Sequence, residues 1–445
     1  MKKTIFMISL GCPKNLIDSE LMLGSLTGSG YKVCETPAEA GLLLVNTCGF
    51  VQSAVEEAID EILALSQLKE ADPSKILAVT GCLVQRYGDD LQKELPEVDL
   101  FLGTDGCVDL LAKLADLEAG RPQTVDLTTP PSFLMHSGLS RQVSTPSHRA
   151  YLKISEGCSN NCSYCLIPGL RGRLRSRSLD DLITEVRRLE KLGVKELTLV
   201  GQDVTAYGAD TGKNGPRLPD LLGRLLRDTA IPWLRMLYLY PNRIDAPLLN
   251  LMAANSRLLP YFDVPLQHVS DRILRLMNRP YKQKDIVGLL AGIKAVMPAA
   301  AIRTTFIVGF PGEREEDMSE LEVFLREFKL DHVGVFAYSN EDGCAASRLP
   351  EHCAAELKEE RRQRIMALQR NISQTRNQML VGRVEKVLVE GLSRETDLLL
   401  EGRTRYQAPD IDGCIYINSG SCKPGDIVDV RITEAHPYDL VGEIV

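Results

Sequence analysis

The chain has one Trp in 445 residues, and aromatic residues make up only 5% of it. It therefore offers few flat surfaces on which single-stranded nucleic acid could stack. It also lacks an excess of positive charge. Its 52 Lys and Arg stand against 60 Asp and Glu, for a net charge of −8, which makes the whole chain a poor general binder of polyanions while leaving room for a local basic patch. No apolar run approaches the ~20 residues of a membrane span, and neither an internal repeat nor a low-complexity segment is present. What is present is an ordinary globular composition, 44% hydrophobic and 25% charged, which excludes a mainly disordered chain. At ~150 residues per domain, the length suggests about three domains.

The N-terminal MKKTIFMISLGC has two Lys, a short apolar run and a Cys, as a lipoprotein signal does. The run from Thr4 to Leu10 is at the bottom of the ~7–15 residues such a signal uses, and no spacer follows. A first β-strand is the simpler reading, and the protein is expected in the cytoplasm. In that reducing compartment its twelve Cys are not expected to be disulfides. Three of them, Cys158, Cys162 and Cys165, crowd into eight residues, a pattern that points to metal or redox chemistry.

Along the chain, residues 1–120 alternate apolar strands (TIFMISL, GLLLVNT, ILAVTG) with helical stretches, the pattern of a doubly wound parallel α/β domain. Residues 121–148 are rich in Pro, Ser and Thr without periodicity and read as a linker. Residues 149–376 return to strand–helix alternation. The candidate strands RAYLKIS, KELTLVG, LRMLYLY, YFDVPL, IRTTFIVGF and HVGVFAYS suggest a partial or full parallel (β/α) barrel, and the Gly- and Pro-free stretch 351–380 a long amphipathic helix. Residues 377–445 carry short β runs punctuated by Gly and Pro and fit a small antiparallel β-barrel. The fold class is therefore α/β with a C-terminal β-barrel.

Cys158, Cys162 and Cys165 form CxxxCxxC on a loop directly after a strand. Three thiolates so spaced can converge on one metal or cluster. Structural zinc normally wants four protein ligands, and the flanking candidates are His148 upstream and His268 downstream. A 4Fe–4S cluster is usually held by four Cys, so three would leave one iron open to an external ligand. A second set is dispersed. Cys12, Cys48 and Cys82 each follow one of the three N-terminal strands, and parallel strands that end on one edge can bring such residues to a common crevice. Gly11, Gly49 and Gly81 beside them would allow close backbone approach.

The loop SEGCSNNCSYCLIPGLRGR, with Tyr164 before the last Cys, resembles the signature loop of radical S-adenosylmethionine enzymes. Together with the three strand-end cysteines and the terminal β-barrel, it resembles the methylthiotransferase family over nearly the whole chain. The resemblance implies two 4Fe–4S clusters, one on Cys12, Cys48 and Cys82 and one on Cys158, Cys162 and Cys165, with S-adenosylmethionine as radical source and methyl donor. It implies a C-terminal TRAM domain, and it places Gly201, Gln202 and Asp203 of VGQDVTAYG, with Tyr164, near the cofactor. Family members usually have a Gly-Gly-Glu-like segment there, so the departure to Gln-Asp leaves open which side chain binds. No general acid or base is singled out.

SLGCPKNLIDSE is similar to the branch that modifies an aspartate in the twelfth protein of the small ribosomal subunit, whereas the tRNA-modifying branch more often has Gln-Met-Asn after the first Cys. The implied partners are that basic protein and an electron donor protein, with tRNA the less favoured substrate. A non-catalytic iron–sulfur electron carrier and a zinc-containing RNA-binding protein are the competing classes. Both cysteine sets stop at three, which disfavours the carrier.

Residues 377–445 hold seven Lys and Arg against twelve Asp and Glu. This is a poor charge for phosphate contacts and a suitable one for steering a basic protein. Arg171, Arg173, Arg175 and Arg177 alternate after the loop and are read either as a solvated face or as a contact with substrate or with the N-terminal domain. His268 is read as structural, and the Gly309–Gly312 turn as either a plain turn or a cofactor approach.

Overall fold

The computed structural model describes residues 2–121 and 125–445. The chain divides into two compact units. The first runs to Ser144 and also takes in Lys153–Asn161 and Cys165–Thr184. Its frame is a parallel sheet of β1 (Thr4–Ser9), β2 (Lys32–Val33), β3 (Leu42–Thr47), β4 (Ile76–Gly81), β5 (Leu100–Leu102) and β6 (Val125–Asp126), ordered β2-β1-β3-β4-β5-β6.

Alternate side chains leave opposite faces of a strand, and β3 is apolar on both. Leu43 and Val45 pack with Leu77 and Val79 under α2 (Gln52–Ala71) and α3 (Cys82–Glu94). Leu42 and Leu44 pack with Ala78 under α1 (Pro13–Gly28) and α4 (Leu110–Glu118). Helices on both faces of a parallel sheet make this the doubly wound arrangement.

Of the stretch read as a linker, residue 121 and residues 125–144 belong to this unit, residues 145–148 belong to the second, and residues 122–124 lie outside the described residues. Val125–Asp126 supplies the edge strand β6. Asp105 accepts from the N–H groups of Ser132 (2.6 Å) and Phe133 (3.0 Å), and Arg141 pairs with Glu20 at 2.6 Å. Its tethers are a two-residue strand, side-chain bonds, the Gln142 N–H to Glu20 carbonyl bond (3.0 Å) and the single packed ring of Phe133, none of which leaves a hydrophobic period.

After β7 (Arg149–Lys153), the short pair β8 (Ser155–Glu156) and β9 (Arg175–Ser176) flanks the cysteine loop and α5 (Ile167–Arg171), and α6 (Leu179–Lys191) follows. The second unit holds β7 up to Leu152, residues 162–164 and everything from Glu185 onward. It contains β10 (Glu196–Val200), β11 (Trp233–Met236), β12 (Tyr261–Asp263), β13 (Ala301–Val308) and β14 (His332–Ala337). Between these strands lie α7 (Leu218–Asp228), α8 (Ala246–Ala254), α9 (Asp271–Leu276), α10 (Gln283–Val296) and α11 (Glu315–Phe328).

The strands form two three-stranded runs, β11-β10-β7 and β12-β13-β14. A parallel bridge Leu234–Leu258 and the Leu239 N–H to Asp263 carbonyl bond (2.8 Å) continue the arc beyond β11. The arc is a barrel left open, and α12 (Ala355–Gln378) is the long helix expected near 351–380.

The chain ends in a closed barrel of β15 (Val384–Leu392), β16 (Leu400–Thr404), β17 (Ile415–Ser419), β18 (Ile427–Ala435) and β19 (Leu440–Ile444), ordered β15-β16-β17-β19-β18. Its pairs are antiparallel except β17–β19, which runs parallel. Strand β16 hides in the sequence because it carries Glu401 and Arg403.

Arg403 is buried by pairing with Glu196 of β10 at 2.6 Å, and Glu196 also takes Arg235 at 2.6 Å. Glu390 meets His148 at 2.8 Å, Asp410 takes two bonds from Arg149 (2.8 and 3.0 Å), and Tyr261 donates to Asp412 at 2.6 Å. Several of the barrel's carboxylates are thus spent on holding it to the open barrel. Among the described residues, no helix is long and apolar enough to cross a membrane.

Candidate active site

The first unit ends β1, β3 and β4 side by side, and Cys12, Cys48 and Cys82 stand at or just beyond those ends. Cys12 is the N-cap of α1 and Cys82 opens α3, positions where the helix dipole favours a thiolate. The sheet register sets Thr47 opposite Gly81, and the Thr47 hydroxyl donates to the Thr80 carbonyl at 2.6 Å. Gly11 has φ +90°, and a Cβ there would come within 2.8 Å of the Cys48 Cβ and 3.2 Å of its Sγ. Only glycine admits this approach of the first loop to the second.

Burial works against ionisation of Cys12. The charges of Lys14 and Arg171 and the N–H groups of Asn15 and Lys14 outweigh it and hold this thiol below its usual value. Burial pushes Cys48 up to about 11, and Cys82 and Cys12 add to the rise. Cys82 is raised, by burial first, against the pull of Arg171. Cys12 thus acts on both other thiols, and Cys82 on Cys48.

The side chain that fastens this crevice is Asn15. Its amide donates to the carbonyls of Leu10 (2.7 Å), Thr47 (3.3 Å) and Asn46 (3.4 Å), and Asn46 returns a bond to the Asn15 carbonyl at 2.9 Å. These bonds give a physical reason for Asn in CPKN.

Cys158 and Cys165 lie in the first unit and Cys162 in the second. Cys158 donates its N–H to the Gly172 carbonyl (3.0 Å), and its Sγ accepts from the N–H of Asn160 at 3.4 Å. Around Cys162, Ser163 is pinned through its N–H to Met277 (3.0 Å), its hydroxyl to Leu276 (2.7 Å) and its carbonyl to the N–H of Ala346 (2.8 Å). Tyr164 packs on the cluster of Ile273, Met277, Phe310, Tyr338 and Ala346. Arg279, buried, donates to the Cys162 Sγ at 3.5 Å and lies over the Tyr240 ring at 4.3 Å.

Gly201, Gln202 and Asp203 follow β10. The Asp203 carboxylate accepts from Ala206 N–H (3.1 Å) and Thr205 Oγ1 (2.5 Å) and pairs with Arg243 at 2.5 Å. It therefore caps the turn between strand ends. His148 is engaged with Glu390, and His268 is fully buried, its Nδ1 accepting from Ser270 N–H at 3.0 Å. Gly309 donates to Glu313 at 2.8 Å beside Lys358 of α12.

Of the alternating arginines, Arg171 and Arg177 are buried and Arg173 is exposed. The set is therefore not a solvated face, and Arg171 reaches into the N-terminal crevice. No three His, Cys, Asp or Glu among the described residues are close enough to clasp a single metal ion. A cubane of four irons seats its thiolates at separate corners, wider apart than one ion does.

Residues 4–103 match the family described as "Uncharacterized protein family UPF0004", residues 152–325 the radical SAM superfamily, and residues 381–445 the TRAM domain. The chain is 52% identical, over 99% of its length and 98% of the relative's, to "Ribosomal protein uS12 methylthiotransferase RimO" of Desulfotalea psychrophila. It is 45% identical, over 100% and 99%, to the protein of the same name from Geotalea uraniireducens. The chain belongs to the uS12 methylthiotransferase family.

Among solved structures, the radical S-adenosylmethionine methyltransferase TsrM of Kitasatospora setae superposes with a TM-score of 0.56 at 15% identity, covering 75% of this chain and 72% of that one. That likeness concerns the fold alone. As a member of its family the chain is a radical S-adenosylmethionine methylthiotransferase, and the family's cofactors are S-adenosylmethionine and 4Fe–4S clusters.

The residues present suit such groups. None of the six cysteines is in a disulfide, two of the three in the first crevice head helices, and buried arginines donate to one sulfur in each set. Arg279 and Asn15 are residues beside the cysteines that reading from spacing does not find, and only their long-range partners reveal them. Arg171, by contrast, makes the contact with the N-terminal domain that is one of the two readings of the arginine row.

Proposed function

We propose that this chain installs a methylthio group on the β-carbon of an aspartate of ribosomal protein uS12, in the cytoplasm, with electrons from a donor protein. The observation that carries this reading is the whole-length similarity to uS12 methylthiotransferases, which spans the three-cysteine unit, the radical core and the terminal barrel together. Cys158, Cys162 and Cys165 would hold the radical-generating 4Fe–4S cluster, and Cys12, Cys48 and Cys82 the second. When bound, the first cluster with S-adenosylmethionine supplies a hydrogen-abstracting radical and the second presents the sulfur to be transferred.

The chain's own residues orient and shield. Ser163 fixes the loop, Tyr164 seats it on an apolar cluster, and Gly201 and Gln202, in the turn after β10, would approach the cofactor as the family resemblance implies. Asp203 serves as a cap and an ion-pair partner of Arg243 and so shapes that turn.

The terminal barrel supports a basic protein partner. Glu390, Asp410 and Asp412 are spent on unit-two cations and a tyrosine, and Arg403 on Glu196. Nine acids against six cations remain, still an acidic surface. A cavity of about 430 Å³ on this barrel carries Glu395, Glu401 and Asp439 beside Arg394. Binding of uS12 should be salt-sensitive and binding of tRNA weak.

The test is mass spectrometry of ribosomal proteins and tRNA from cells with and without the gene, together with anaerobic assays on both substrates. A methylthio mass increment on uS12 that vanishes with the gene is expected. Methylthiolated tRNA with unmodified uS12 would overturn the assignment.

A further inference from the structure

Arg171 follows Cys165 by six residues, as the last residue of α5, yet its side chain is directed into the other crevice of the first unit. It is 4% exposed. One terminal nitrogen donates to Asp18 at 2.6 Å. The other donates to the Asn15 side-chain oxygen at 2.9 Å and to the Cys82 sulfur at 3.4 Å. Around it lie Lys153, bonded to Asp18 and, at 2.7 Å, to Glu156. Two buried cations thus balance two buried carboxylates. A Cys82 thiolate adds one negative charge to that balance, and the guanidinium is the donor that meets it. A buried ion set of this kind costs desolvation unless each member is matched, and neither Asp18 nor Asn15 explains why the fork extends to a sulfur. The segment that carries Cys165 therefore also completes the surroundings of Cys82.

We infer that Arg171 is a positioning residue for the N-terminal cluster, donating a charge-assisted hydrogen bond to the Cys82 ligand sulfur and setting how readily that cluster is reduced. Charge and hydrogen bonds at ligand sulfurs are the levers by which a protein tunes an iron–sulfur potential, and partners of a ligand affect metal retention by about 10–100-fold. This rests on the reading that Cys12, Cys48 and Cys82 hold a cluster.

The experiment uses the full-length chain with Cys158, Cys162 and Cys165 replaced by Ala, so that only the N-terminal cluster is observed, reconstituted anaerobically. Iron is counted, loss of iron to a chelator is timed, and the midpoint potential is read by EPR-monitored titration. Arg171→Gln should shift the midpoint to more negative values and speed iron loss about 10-fold. Arg171→Lys, which keeps the charge and a donor, should recover most of both.

The double variant Asp18→Asn/Arg171→Gln restores the buried charge balance and guards against simple misfolding. It should keep part of the negative shift, because the bond to sulfur is still missing. A double variant that is folded and iron-loaded with an unchanged midpoint and EPR spectrum would overturn the inference. A parent protein that takes up no iron at these three cysteines would instead overturn the cluster reading, and this inference with it.

Discussion

Cys158, Cys162 and Cys165 are carried by eight residues of chain, whereas Cys12, Cys48 and Cys82 are 36 and 34 residues apart and reach one edge through a sheet. The first set is defined by local spacing, and little of the fold is needed to suspect it. The second depends on strand order. It exists only because β1, β3 and β4 are neighbours and their parallel ends coincide. The two sets also differ in what secures them. The loop is pinned by backbone bonds through Ser163 and by apolar packing of Tyr164. The sheet-end set is secured by Asn15 and by a buried ionic group of Lys153, Asp18, Glu156 and Arg171. A site assembled by topology needs long-range polar fasteners; Asn15, Asp18, Glu156 and Arg171 lie within the stretches that carry the cysteines, but the partners that make them fasteners do not show there.

The largest expected effect separates the two sets. Replacing Cys158, Cys162 and Cys165 by Ala should abolish S-adenosylmethionine cleavage. Replacing Cys12, Cys48 and Cys82 should leave cleavage detectable while ending methylthio transfer. Chromatographic assay of 5′-deoxyadenosine and of modified uS12 reads both, and loss of cleavage in both variants would erase the distinction.

Long-range polar fastening recurs in the terminal barrel, where it predicts a pH effect. Burial alone would raise Glu390. The hydrogen bond from His148 and the charges of Arg403 and Arg149 outweigh it and bring the carboxyl down to about 2 from 4.5. A group depressed on folding stabilises above its unfolded value, and that contribution is lost as the pH falls toward the folded one. The stabilisation is therefore complete above about 4.5 and gone near 2, and a shift of this size corresponds to on the order of 3 kcal/mol. Glu390→Gln should lower the Tm at neutral pH, and the gap from wild type should narrow as the pH drops below about 4.5. Thermal melts across that range that show a constant gap would contradict the sign.

A smaller effect is expected at Asn15. Asn15→Ala removes donors to buried carbonyls and should cost about 1–3 kcal/mol in denaturant unfolding, with iron lost from the first crevice and the 158–165 loop still loaded. The smallest contrast lies within the arginine row. Arg173→Ala, at an exposed position, should change stability by no more than about 0.5 kcal/mol. Arg177→Ala should cost about 1–3 kcal/mol, since its guanidinium bonds Asp181 at 2.8 Å and the Lys153 carbonyl at 2.9 Å. Equal costs in urea melts would mean that burial does not divide the row.

Much of the fold is legible in the sequence because its strands are apolar on both faces. LLLVNT and ILAVTG can only be buried, and the six core segments from RAYLKIS to HVGVFAYS repeat one strand–helix pattern. Elements that pair by other means escape such reading. Strand β16 contains Arg403 and Glu401, and β6 spans two residues. The acid excess of residues 377–445 is visible as a count, but its partial use in anchoring the barrel is not, because His148, Arg149, Glu196 and Tyr261 are distant in sequence. At the candidate site, the cysteines stand out by spacing and by strand ends. Asn15 and Arg279 do not, since an ordinary polar residue becomes a site residue only through what it faces, and Arg171 stands out only as a member of an alternating row, without its partners.

The claim on which the account turns is that the sheet edge, like the loop, holds a cluster of its own. The most direct measurement is the iron content of the anaerobically reconstituted Cys12→Ala/Cys48→Ala/Cys82→Ala protein beside wild type. Wild type should hold about eight irons per chain and the variant about four, by the four-iron stoichiometry of each cluster. A variant that keeps the full wild-type iron content would contradict that claim.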